Sequence, residues 1–73
     1  MASETVKAEI TGNVWKIVTQ PGQQLAEEET IMIMESMKME IPVFAPVKGV
    51  LRELLVKEGQ EVSEGQSLAV IET

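Results

Sequence analysis

The segment IMIMESMKMEIPVF, residues 31–44, carries two conflicting indications of secondary structure. By residue type, the stretch 25–40 favours a helix, because Leu, Ala, Glu, Met and Lys are good helix formers. Two features favour strands instead: apolar residues recur with a period of two after the lysine, and Pro42 would break a helix. We therefore predict strands over Ile31–Ser36 and Met39–Phe44, with Pro42 at a sheet edge or a bulge because it cannot donate to the ladder.

The two residues between these strands, Met37 and Lys38, make an unusual hairpin turn. A two-residue hairpin loop needs positive φ, which Asn-Gly or Asp-Gly usually provides. Met and Lys must adopt this conformation with a Cβ, at a cost of roughly 1–3 kcal/mol per residue. The pairing also sets Glu35 opposite Glu40, which is a like-charge pair. Function is expected where local rules are broken in this way. The turn places Lys38 at the tip of the hairpin, where we expect it to point into water between Met37 and Met39.

The sequence also suggests where other apolar residues and the glycines lie. We expect one of Met32 and Met34 in the core and the other on an outer surface. Trp15 and Phe44, the two aromatic residues of the chain, are expected in the core. Structural turns are predicted at four glycines, Gly12, Gly22, Gly49 and Gly59.

An internal repeat organises the rest of the chain. A shift of 37 residues places Gly12–Glu35 on Gly49–Glu72 without a gap. The identical columns are Gly12/Gly49, Gly22/Gly59, Gln23/Gln60, Glu27/Glu64 and Glu35/Glu72. The copies are too few for a solenoid, so the repeat predicts two equivalent halves, built of strands, in one small domain.

Composition excludes several classes of function. The 73-residue chain has no Cys, His, Asp or Tyr, and its twelve acidic residues against six basic ones give a net charge of −6. Thiolate chemistry, zinc sites and histidine acid–base catalysis are therefore excluded, and we expect no catalytic residue and no metal site. The acidic balance argues against nucleic-acid and anionic membrane partners.

Length and targeting features indicate one small domain. No apolar run approaches the ~20 residues of a membrane span, and the first residues lack the pattern of a signal peptide. We expect a single domain over 1–73, flexible over 1–4, that is cytoplasmic and monomeric. A self-sufficient enzyme is not expected at this size.

The segment Glu35-Ser36-Met37-Lys38-Met39-Glu40 resembles the biotin-attachment motif of biotinyl domains, whose core is Met-Lys-Met. The resemblance extends from about Val6 to Thr73. It implies an all-β fold: a flattened β-barrel or sandwich of two four-stranded antiparallel sheets with quasi-twofold symmetry, the modified lysine on an exposed hairpin and the termini at the opposite end.

Two departures within the family refine the resemblance. Related lipoyl domains usually carry Asp-Lys-Ala at this turn, so Met37 and Met39 favour biotin over lipoate. Some acetyl-CoA carboxylase carriers have an extra thumb loop, and the connection from Val18 to Pro21 leaves no room for it. The chain is therefore more similar to thumbless carboxylase domains or to small free-standing attachment proteins. Both interpretations, a domain excised from a longer protein and a whole small protein, stay open.

The resemblance implies a role for each residue of the motif. Lys38 would be biotinylated covalently by a biotin protein ligase, and Met37 and Met39 would be contacted by that ligase, with Glu35 and Ser36 completing the motif. The chain would then carry carboxybiotin between biotin carboxylase and carboxyltransferase partners. The alternatives are a lipoyl carrier for a 2-oxo acid dehydrogenase or the glycine cleavage system, and a purely structural sandwich.

Overall fold

A computed structural model describes residues 2–73 and confirms the all-β fold class. It contains eight strands: β1 Ser3–Lys7, β2 Gly12–Ile17, β3 Gln24–Leu25, β4 Thr30–Ser36, β5 Met39–Phe44, β6 Gly49–Leu54, β7 Glu61–Val62 and β8 Ser67–Glu72. They form two four-stranded sheets, with strand orders β1-β8-β6-β3 and β5-β4-β2-β7. All neighbouring strands are antiparallel. The two strands predicted around the turn are confirmed, and Pro42 lies on the edge strand β5.

The two sheets enclose one apolar core. It consists of Val6, Ala8, Val14, Leu25, Ile31, Met32, Met34, Ala45, Leu51, Val56, Val62, Leu68, Ala69 and Ile71. No polar or charged side chain within residues 2–73 is buried. The expectation that Met32 and Met34 would face opposite ways is wrong: both are buried, because residues two apart on a strand share a face.

The structure confirms the 37-residue repeat. Strands β2, β3 and β4 correspond to β6, β7 and β8. The burial patterns of β2 and β6 are identical, and those of β3 and β7 are identical as well. Each half also ties its first long strand to a turn in the other half, because Gly22 N–H donates to Leu51 O and Gly59 N–H donates to Val14 O, both at 2.7 Å. The two halves are therefore related by a quasi-twofold axis.

The equivalence extends to the edge strands β1 and β5, which the sequence comparison did not include. Each is followed by a buried alanine, Ala8 or Ala45, with the same 37-residue spacing. The turn between β4 and β5 then occupies the position that the chain termini occupy in the other half, where Thr73 N–H donates to Ala2 O at 2.9 Å. Because β1 runs from these termini towards Gly12, beside the β4–β5 turn, the turn and the termini lie at opposite ends of the sandwich.

The expectation that Trp15 and Phe44 lie in the core is wrong, since they are 48% and 52% exposed. Trp15 is the extra residue of a β-bulge, because Val14 pairs with Met34 while Lys16 pairs with Ile33. A bulge shifts the inward alternation of its strand. Phe44 follows Val43, which packs against the core, so strand alternation points the phenyl ring outwards.

Part of the segment 1–4, for which flexibility is predicted, pairs with the last strand. Ser3 and Glu4 belong to β1 and pair with Glu72 and Ile71, because a long last strand is available to receive them. Met1 lies outside the described residues. Within residues 2–73, no helix is long and apolar enough to cross a membrane.

Candidate functional site at the β4–β5 hairpin

The hairpin turn at Met37 and Lys38 has the backbone conformation predicted from its sequence. Strands β4 and β5 pair down to Ser36 and Met39, which leaves two loop residues. Their φ angles are 52° for Met37 and 64° for Lys38, the left-handed region that a two-residue hairpin with matching twist requires. Among the other described residues, the single non-glycine with positive φ is Glu28, so left-handed strain is concentrated at this turn.

The turn places a free amine in solvent between two exposed thioethers. Lys38 is exposed, and Met37 and Met39 are 90% and 61% exposed. Within the described part of the chain, no carboxylate lies within salt-bridge distance of the Lys38 ammonium group. The lysine side chain is therefore an unpaired arm at one end of the sandwich, accessible to another protein from several sides.

The root of the hairpin brings together the remaining motif residues. Glu35 pairs directly with Glu40, as predicted, and both are exposed. Ser36 is half-buried, and its hydroxyl donates to Thr11 O at 3.1 Å. This hydrogen bond ties the end of β4 to the residue that precedes β2, so the turn is braced from the neighbouring strand.

Gly12 braces the same root in a way that the sequence analysis missed. Gly12 and Gly49, both expected at turns, are instead the first residues of β2 and β6. A Cβ at Gly12 would lie 2.5 Å from Glu35 O and 3.2 Å from the Cβ of Ser36. Glycine is required there because the backbones approach closely. The repeat column Gly12/Gly49 held this information, since it aligns two strand starts.

The hairpin lies apart from the groove found in the described residues. A groove of about 630 Å³ runs between the edge strands β1 and β5, and its lining includes Val6, Ile41 and Phe44. Neither Lys38 nor its flanking methionines lines this groove. The hairpin therefore presents an exposed primary amine outside the groove.

Replacing Met37 with asparagine is expected to raise the free energy of unfolding by about 0.5–1 kcal/mol, because asparagine tolerates the left-handed region better than methionine does. Little packing is lost, since the Met37 side chain is 90% exposed. Urea denaturation measures the change. The matched control is Met39→Asn, which lies in β5 and gains nothing from left-handed freedom. Equal effects of the two substitutions would contradict the strain at Met37.

Comparison with known proteins shows the family of this chain. The family model described as "Biotin-requiring enzyme", for biotin/lipoyl domains, matches residues 1–71. A Biotin/lipoyl attachment protein of Bacillus subtilis is 42% identical over 64 residues, which cover 88% of each chain. A Biotinylated protein TB7.3 homolog of Mycobacterium leprae is 39% identical over 69 residues, covering 94% of this chain and 97% of that protein.

Longer proteins contain a similar domain. A probable dihydrolipoyllysine-residue succinyltransferase component of Schizosaccharomyces pombe is 42% identical over 62 residues, covering 85% of this chain and 14% of that protein. The crystal structure of the urea carboxylase of Kluyveromyces lactis superposes with a TM-score of 0.91 at 34% identity, covering 97% of this chain and 6% of that one. Because the family model matches residues 1–71 of its 73 residues, this chain belongs to the biotin/lipoyl attachment family.

Proposed function

We propose that this chain is a biotin carrier and that Lys38 is the residue on which biotin is covalently carried. The observation that supports the proposal most strongly is the hairpin itself: an unpaired, exposed lysine at a strained two-residue turn between Met37 and Met39. Such strain persists where it serves a function. The chain is then the substrate of a biotin protein ligase and a component of a carboxylase system, not a catalyst.

The hairpin fits a covalent cofactor because attachment needs little more than an accessible amine. The neutral Lys38 amine would attack the carbonyl carbon of the biotinyl adenylate on the ligase: the amide C–N bond forms, the C–O bond to the phosphate breaks, AMP leaves and the amine proton is released. Attached biotin supplies a ureido nitrogen that carries a carboxyl group between a biotin carboxylase and a carboxyltransferase. The protein contributes position and reach, which raise the effective concentration of the group at both partners.

The methionines give the hairpin an apolar surface on each side of the reacting amine. Both side chains are exposed, so they are available to a ligase without any change in the core. Glu35 and Glu40 add two carboxylates at the base of the turn. We infer that a ligase contacts Met37 and Met39 directly and that the paired glutamates discriminate against ligases with an acidic surface.

A lipoyl carrier is the second candidate, and one observation favours it. The probable succinyltransferase component, a protein named for its dihydrolipoyllysine residue, is as similar in sequence as the bacterial attachment protein. The two cofactors require the same exposed lysine, so the flanking residues distinguish them. The Met-Lys-Met turn of this chain resembles biotinyl domains, and we therefore rank biotin first.

The distinguishing experiment compares the initial rates of the two attachments. The purified unmodified chain is incubated with ATP and either biotin protein ligase and biotin or lipoate ligase and lipoate, and intact mass is followed. At equal ligase concentrations, we expect biotin to be attached at least about tenfold faster. Faster lipoylation would overturn the ranking. Met37→Asp/Met39→Ala, which places the lipoyl-type residues on the same turn, should shift the ratio towards lipoate.

A further inference from the structure

The four methionines between residues 32 and 39 fall into two classes of accessibility. Met32 and Met34 are 0% and 1% exposed, inside the core. Met37 and Met39 are 90% and 61% exposed, one on each side of Lys38. One hairpin therefore contains two pairs of methionines, of which only one pair is accessible to reagents in solution. The buried pair serves as an internal control for the exposed pair.

Among residues 2–73, the exposed pair is also the most accessible oxidisable group. The chain has no cysteine, so no thiolate competes for a hydroperoxide. A thioether reacts with a hydroperoxide by donating a sulfur lone pair to the terminal oxygen; the S–O bond forms, the O–O bond breaks, and water or an alcohol leaves. Sulfur is oxidised by two electrons and the hydroperoxide is reduced by two. Methionine sulfoxide reductases reverse the change.

We infer that Met37 and Met39 are a reversible sulfoxidation site, and that their oxidation by hydroperoxides slows cofactor attachment at the lysine between them. Oxidation converts each flexible apolar side chain into a polar one with a strong acceptor oxygen. The fold is unaffected, because neither side chain belongs to the core. The ligase instead meets a polar pair where the unmodified turn presents an apolar one.

The size of the expected effect follows from the cost of burying a polar group. A ligase that desolvates two thioethers would desolvate two sulfoxides without partners for their oxygens, which is unfavourable. We expect attachment to the oxidised chain to be about tenfold slower. This second half of the inference rests on the proposed function, whereas the selectivity of oxidation rests on exposure alone.

The test uses the full unmodified chain and hydrogen peroxide. Peptide mass mapping follows oxygen addition at each methionine, and biotin attachment is then measured on treated and untreated samples. The Met37→Leu/Met39→Leu variant is compared with its own untreated sample, so that any change in intrinsic acceptance cancels. Met32→Leu/Met34→Leu is the matched control, since Leu and Met are similar in volume and tolerated in cores.

We expect five results. Oxygen adds to Met37 and Met39 before Met32 and Met34, attachment to the treated chain falls about tenfold, and a sulfoxide reductase restores it. The ratio of the attachment rate after treatment to the rate before treatment stays near one in the Met37→Leu/Met39→Leu variant. In the Met32→Leu/Met34→Leu variant this ratio falls as it does in the wild type. Equal oxidation of both pairs, or unchanged attachment to the oxidised hairpin, would overturn the inference. Failure of the untreated wild type to accept either cofactor would overturn the proposed function, and with it the inferred effect of oxidation on attachment.

Discussion

Replacing Lys38 with arginine is expected to abolish cofactor attachment completely. Arginine keeps the positive charge and the length of the side chain, but its guanidinium stays protonated in proteins and does not form the amide. The turn should be unaffected, because the Lys38 side chain is exposed and has no ion-pair partner within residues 2–73. Intact mass after incubation with biotin ligase, biotin and ATP gives the result directly.

Lys48→Arg is the matched control for this substitution. Lys48 is also exposed and lies in the loop between β5 and β6, outside any hairpin turn. We expect this variant to be modified as fully as the wild type. An adduct that survives in Lys38→Arg but disappears in Lys48→Arg would move the attachment site away from the hairpin.

Replacing Gly12 with alanine is expected to produce the largest loss of stability from a single methyl group near the site. The added Cβ would lie 2.5 Å from Glu35 O, which is backbone and cannot rotate away. Strands β2 and β4 must separate at the hairpin root, and overpacking of this kind costs about 1–3 kcal/mol. Urea denaturation should show the loss as a lower transition midpoint with an unchanged slope.

The quasi-twofold symmetry provides the control for Gly12. A Cβ at Gly49 would also lie 2.5 Å from a carbonyl oxygen, that of Glu72, at the end of the sandwich where the termini pair. Gly49→Ala should therefore lose a similar amount of stability. Under conditions where both variants are folded, only Gly12→Ala should slow biotin attachment, by about threefold or more (roughly 0.7 kcal/mol). Equal attachment rates would show that Gly12 supports the fold without positioning the turn.

The hairpin was predictable because several local features of 31–44 agree with one another. A proline that excludes a helix and apolar residues with a period of two define the strand ends to within a residue. The observed β5 has the predicted bounds, and β4 begins at Thr30, one residue earlier than predicted, and ends at Ser36. The 37-residue repeat predicted two equivalent halves built of strands, and three strands in each half correspond in the structure. Local pattern and repeat thus agree on strands, whereas their arrangement in two four-stranded sheets was implied by the family resemblance alone.

The features that escaped prediction depend on contacts between strands. The bulge at Trp15 exists only relative to the register of β4, so the sequence of β2 alone suggests a buried aromatic residue. The close approach of Gly12 to Glu35 depends on a neighbouring strand in the same way. The pairing of Ser3 and Glu4 with β8 joins the two ends of the chain, and nothing in the first four residues indicates it.

The site was predictable in its position and less so in its support. Strand pattern and turn length place Lys38 at the tip, and the Met-Lys-Met resemblance supplies the proposed role. The hydrogen bond from Ser36 to Thr11 O crosses 25 residues of sequence, a separation over which no local pattern carries information. Positioning of the turn from β2 is therefore a property of the folded chain.

Fragment mass mapping of the wild-type chain after reaction with biotin ligase shows whether the cofactor is joined to Lys38. We expect one adduct per chain, with every fragment that contains Lys38 carrying the added mass and every fragment without it unchanged. An adduct on Lys7, Lys16, Lys48 or Lys57, or no adduct while a known acceptor is biotinylated in the same reaction, would contradict it.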